Sequence, residues 1–119
     1  MAAIDRDAPV YVAGHRGLVG SSIVRLLQAE GFTNILTADR SVLDLRDQGE
    51  VSHWFTANRP RYVFLVAGTV GGILANSTRP AEFIYDNMMI HGTVVHSAYE
   101  TGVDKLLYLG SSCIYPRHA

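Results

Sequence analysis

A doubly wound α/β domain with a parallel sheet is the fold class that this sequence of 119 residues predicts. Three observations carry the prediction. Short β-branched runs alternate along the chain with helix-length apolar-periodic stretches, as right-handed βαβ units require. The run "RYVFLVAG", residues 61–68, is apolar on both faces, as a central parallel strand must be. The first strand leads at once into a glycine-spaced turn that opens a helix.

Taken in order, "VYVA" at residues 10–13 reads as a buried strand ending at Gly14. The next stretch, "LVGSSIVRLLQAEG", places Leu18, Ile23, Leu26 and Leu27 on one side of a helix that Gly31 closes in the left-handed conformation. "NILTAD" reads as the second strand. Asp47, with Glu50 three positions later, marks a capping-box start for a helix running to Asn58, and Arg59-Pro60 ends it. After the central strand and the loop "GTVGG", Pro80 begins a long helix that stops at Gly102, with Phe83, Ile84, Met88, Val94, Val95 and Ala98 as its core residues. "KLLYLGSS" reads as the last strand. No repeat, low-complexity tract or linker divides the chain, so it reads as part of one domain.

Composition narrows the function. Ten basic and eleven acidic residues are interspersed for a net charge of −1, which gives no footprint for nucleic acid and no polybasic membrane anchor. Small-molecule partners are expected. The single cysteine, Cys113, excludes an internal disulfide and a cysteine-rich zinc site and suits a reducing compartment. With a charged start and no long apolar run, the chain reads as cytoplasmic.

The turn "AGHRGLVG" sets Gly14, Gly17 and Gly20 at the first strand-to-helix junction. The first glycine permits the tight turn, the second lets backbone approach a pyrophosphate, and the third lets helix pack close to strand. The helix N-terminus offers its free N–H groups to the anion. A structural turn without ligand is the plainer reading, but the position after a strand and before a helix favours a Rossmann-type dinucleotide site. His15 reads as a turn residue within it. At the end of the second strand stand Asp39, suited to ribose hydroxyls, and Arg40, suited to a 2′-phosphate. Neighbours in extended backbone point oppositely, so only one of the two is expected to face the ribose, and the residues by themselves leave both readings open.

Ligands in such sheets bind outside the carboxyl ends of the strands, where strand order reverses. The loops "VAGTVGGI" and "GSSCIYP" both leave strands there. Ser111 and Cys113, two apart in extended backbone, project to one side. A serine hydroxyl can bond a carbonyl oxygen, and a thiolate beside it can take an acidic α-proton. A small buried hydrophobe is the plainer role for a lone cysteine.

"AGHRGLVGSSIVRLL", "VGGILAN", "RPAEFIYDNMMI" and "LLYLGSSCIYP" resemble the amino-terminal part of the GDP-L-fucose synthase family of extended short-chain dehydrogenase/reductases. The resemblance implies epimerisation at two carbons of a GDP-4-keto-6-deoxy-mannose followed by reduction of its ketone, with NADP(H) as cofactor and a GDP-sugar as partner. It implies Cys113 as the epimerisation base and Ser111 as the residue that orients the carbonyl. It implies a cofactor-binding set of Gly14, His15, Arg16, Gly17, Leu18, Val19, Gly20, Arg40, Asp44, Leu45 and Ala67, with Arg16 and Arg40 at the 2′-phosphate and Asp39 turned away. It matches Asn87 to a family position near the catalytic region, where a solvated helix residue is the equal alternative. Thr69 departs from the family pattern, which has lysine there. The family's Tyr-x-x-x-Lys pair and its later histidine have no counterpart, so neither Tyr115 nor His118 takes those roles and the chain reads as a fragment without the substrate domain, inactive alone. A homodimer is expected of the complete protein. A related sugar-nucleotide epimerase or dehydratase, or a nucleotide-binding module without catalysis, remain the alternatives.

Overall fold

β1 (Val10–Ala13) is the pivot of a four-stranded sheet, pairing in parallel with β2 (Ile35–Leu36) on one side and β3 (Tyr62–Leu65) on the other. β4 (Lys105–Tyr108) extends the sheet beyond β3, also in parallel, so the spatial order is β2-β1-β3-β4. The computed structural model describes residues 5–39, 41–66 and 80–108, and of 80–84 the backbone alone. Chain order reverses between β1 and β3, which puts a crevice beside the carboxyl end of β1.

Strand alternation sorts the core into two layers. Val10 and Val12 face α1 (Leu18–Ala29), where Leu27 is buried and Ile23, Val24, Tyr62 and Phe64 pack around them. Tyr11, Ala13, Val63 and Leu65 face the other way, onto α2 (Gln48–Asn58) through Val51 and Phe55 and onto α3 (Pro80–Thr101) through Ile90, Val94 and Ala98. An aromatic cluster anchors that layer, with the Tyr11 ring 4.2 Å from Trp54 and 5.7 Å edge-on from Phe55. Removing the fully buried Phe55 side chain would cost about 3–5 kcal/mol.

Helix ends follow the sequence signals. Gly31 and Gly102 adopt φ of 91° and 76° after α1 and α3, as left-handed terminators do. Arg59 closes α2 at φ 47° and ψ 57°, just before Pro60. The Asp47 carboxylate accepts from the Glu50 N–H at 3.1 Å, a cap worth about 1 kcal/mol. The box is not reciprocal, however, because Glu50 Oε1 accepts from the Asp44 N–H at 3.3 Å instead of from Asp47.

Other expectations are corrected. Leu18 and Leu26 are 84% and 60% exposed, so the inner stripe of α1 runs through Ile23, Val24 and Leu27 instead. Met88 is 69% exposed and belongs to the outer surface of α3, whereas Val94 and Ala98 are in the core as expected. Side chains of Phe83 and Ile84 lie outside the described residues. β2 spans two residues where "NILTAD" suggested six, because only Ile35 and Leu36 pair with β1. No helix among the described residues is long and apolar enough to cross a membrane.

Candidate functional site

The carboxyl end of β1 runs into Gly14, whose φ of 98° turns the backbone sharply toward α1. Gly17 caps the helix with extended backbone, its N–H bonding the Gly14 carbonyl at 3.1 Å. A Cβ on Gly20 would lie 1.8 Å from the Gly14 oxygen and 2.7 Å from its carbon, so α1 can approach the turn this closely only with glycine there. A Cβ on Gly17 would meet nothing nearer than the same oxygen at 3.5 Å, which leaves its outer side open to an incoming group. Among the described residues no side chain caps α1, and its first turn holds no acidic residue, so none of them compensates the positive dipole of its first N–H groups. Leu18 and Val19 are exposed beside them.

Three charged or ionisable side chains meet at the rim of this turn. Arg16 grips Asp39 with two nitrogens, Nε at 2.9 Å from Oδ1 and Nη2 at 3.1 Å from Oδ2. His15 Nε2 approaches the same Oδ1 at 3.4 Å. Together with Ala38 and Ser41 they line a concavity of about 480 Å³. Asp39 therefore faces the glycine turn, against the expectation that it turns away. The reason is that β2 ends at Leu36, so strand alternation no longer governs residue 39 and the ion pair with Arg16 sets its direction.

The pattern of the NAD dependent epimerase/dehydratase family matches residues 10–119. The chain belongs to that family. It is 56% identical over 115 residues to GDP-L-fucose synthase 1 of Arabidopsis thaliana, covering 97% of this chain and 36% of that protein. It is 49% identical over 110 residues to GDP-L-fucose synthase of Escherichia coli (strain K12), covering 92% of this chain and 34% of that protein. Among solved structures it is similar to MlghC, a GDP-mannoheptose C4 reductase from Campylobacter jejuni with NADP bound. That similarity has a TM-score of 0.89 at 38% identity and covers 98% of this chain and 37% of that one. The chain thus spans about a third of the length of these epimerase/dehydratase relatives.

Within the epimerase/dehydratase fold, Asp44 and Leu45 fall on the segment between β2 and α2. Asp44 holds Arg46, whose Nε lies 3.2 Å from its Oδ1, and Arg46 reaches Asp86 of α3 at 3.6 Å. These carboxylates raise the Arg46 pKa through a hydrogen bond to Asp44 and the charges of Asp44 and Asp86. Asp44 lines a second concavity with Asp47, Tyr85 and Met89, separate from the one at Arg16. Leu45 packs against the core, and its carbonyl accepts from the buried Thr93 hydroxyl on α3. Thr93 fixes this segment and was invisible in the sequence, since nothing distinguishes it from a threonine bonded to its own helix. Asn87 is buried on α3, not solvated. The expected residues Arg40, Ala67, Ser111 and Cys113 lie outside the described residues, as do Thr69, Tyr115 and His118.

Proposed function

We propose that this chain is the NADP(H)-binding part of a GDP-L-fucose synthase, which epimerises and reduces a GDP-4-keto-6-deoxy-hexose. The observation that carries the reading is the 56% identity to GDP-L-fucose synthase 1 across 97% of this chain. The glycine turn fits the cofactor on its own terms. Open space outside Gly17 and the uncapped amino end of α1 suit a pyrophosphate, while Arg16 and Arg40 suit a 2′-phosphate. His15, Leu18 and Val19 would flank the bound dinucleotide, and Asp44, Leu45 and Ala67 complete the set. Bound there, NADPH would supply the hydride for reduction of the ketone.

Cys113 and Ser111 are assigned by sequence match to the proton chemistry. The Ser111 hydroxyl donates to the C4 carbonyl oxygen, and the Cys113 thiolate takes the proton from a carbon beside that carbonyl, leaving an enolate. Return of a proton on the opposite face inverts the centre. In the complete protein, Cys113→Ser should lower solvent-deuterium incorporation at both carbons flanking the ketone by at least about a hundredfold while NADPH affinity holds. Incorporation at the wild-type rate would overturn the assignment.

A homodimer is the proposed state of the complete protein. Tyr85, Met88, Gly92 and Tyr99 share one stripe of α3 at heptad-like spacing. The three side chains are 62%, 69% and 84% exposed, and a Cβ on Gly92 would meet nothing within 4 Å. That stripe suits close approach of a second α3.

A further inference from the structure

We propose that Thr93 is a positioning residue for the cofactor, its buried hydroxyl reaching from α3 to preset the Asp44-Leu45 segment that borders the dinucleotide. The inference rests on the cofactor reading above and adds to it a residue buried behind the site. The segment joins β2 to α2, which places it on the carboxyl side of the sheet, where ligands of this fold bind. Two bonds bracket it. Glu50 Oε1 accepts from the Asp44 N–H at 3.3 Å, and the Leu45 carbonyl accepts from the Thr93 hydroxyl. The carboxylate that would have closed the capping box of α2 holds Asp44 instead.

The Thr93 hydroxyl carries one proton and has two acceptors in reach, the Leu45 carbonyl and, at 3.1 Å, the Ile90 carbonyl of its own helix. Ile90 lies inside α3, where the helix ladder already serves its carbonyl, whereas Leu45 belongs to no helix or strand. The proton therefore contributes more at Leu45. Neighbouring contacts run the same way. Ser97, one turn further and also buried, accepts from Gln48 Nε2 at 3.3 Å, and Asp86 lies 3.6 Å from Arg46 Nη1. At about 3.6 residues per turn, Asp86, Thr93 and Ser97 fall within about 40° of one another around α3. One face of the helix thus holds Leu45, Arg46 and Gln48, and the position of the segment is set before any ligand arrives. Without the Thr93 bond the segment samples other positions, and affinity falls with the fraction that stays competent.

The test uses the complete protein and measures the NADPH dissociation constant, kcat and thermal melting in wild type, Thr93→Val, Thr93→Ser and the core variant Phe55→Leu, with binding read at a temperature where all are folded. A net hydrogen bond corresponds to about three- to tenfold in an equilibrium, so Thr93→Val should raise the dissociation constant by that factor. At saturating NADPH, kcat should hold within about twofold, because the ligand restores the competent position. Thr93→Ser keeps the donor and should bind as wild type does. Phe55→Leu should melt lower yet bind NADPH unchanged, which separates positioning from stability. An unchanged dissociation constant in folded Thr93→Val, or an equal rise in Phe55→Leu, overturns the inference while NADPH binding stands. If Thr93→Val does not fold, Glu50→Ala removes the other bond from the exposed side of α2 and should give the same rise, and wild-type affinity in that variant overturns the inference too. Failure of the wild type to bind NADPH overturns the cofactor reading itself.

Discussion

Gly20 on α1 stands against the Gly14 carbonyl so closely that a methyl group cannot be inserted between helix and turn. Gly17, three residues earlier, has no such neighbour. The two glycines therefore fail in different ways when substituted.

Gly20→Ala must push α1 off the turn, since the obstructing atoms are backbone, and should destabilise the fold by about 3 kcal/mol or more. Gly17→Ala should cost about 1 kcal/mol or less in stability, since its φ of −71° suits alanine. Its added methyl nevertheless enters the space proposed for the pyrophosphate and should weaken NADPH binding at least about tenfold. Thermal melting and cofactor titration of the two variants separate the effects. Equal stability losses would show that the helix does not pack as described.

Tyr11 gives a pH dependence with a definite sign. Burial raises its phenol pKa well above the usual value. The unfolded chain releases this proton near pH ~10, the folded protein only at higher pH. Above pH ~10 the unfolded state therefore holds fewer protons, and stability falls as pH rises until the folded phenol ionises too. The Tyr11 contribution is constant below that window. Tyr11→Phe should flatten the alkaline limb by up to about 1.4 kcal/mol per pH unit, read from urea unfolding at a series of alkaline pH values. Parallel limbs for the two proteins would contradict the burial of Tyr11.

The outer stripe of α3 predicts the behaviour of the proposed dimer. The double substitution Met88→Glu and Tyr99→Glu places like charges on a surface that would face its own copy. Sedimentation velocity should show the complete wild-type protein as a dimer and the variant shifted to monomer, with an unchanged melting profile at high dilution. A variant that stays dimeric at micromolar concentration would move the interface elsewhere.

Most of the fold was legible because its signals are local. Pro80, Gly31 and Gly102 mark helix ends by backbone chemistry that acts within a few residues and operate as read, while Asp47 caps its helix without the reciprocal bond from Glu50 that a capping box requires. The glycine spacing likewise announced the turn. Helix faces were less legible, since Leu18, Leu26 and Met88 are apolar yet exposed, and residue type alone does not say which neighbours an apolar residue meets. At the site, the direction of Asp39 is not legible because β2 stops pairing at Leu36, three residues before it, and alternation does not extend to it. Thr93 was missed because its bond to Leu45 joins residues 48 positions apart, which no periodicity encodes.

The sheet order also governs how the domain can form during synthesis. β1 leaves the ribosome first, yet its longest pairing is with β3, whose last residue is Leu65, some fifty positions later. Pairing with β2 offers only Ile35 and Leu36 in the meantime. Tyr11, which ends up fully enclosed, must therefore wait with its ring uncovered until α2 and β3 have emerged. Closing so long a loop is slow, and the nascent chain passes through an interval in which its central strand is sticky and only partly paired. That interval, more than the finished fold, is when a chaperone that shields short apolar segments would matter to this protein.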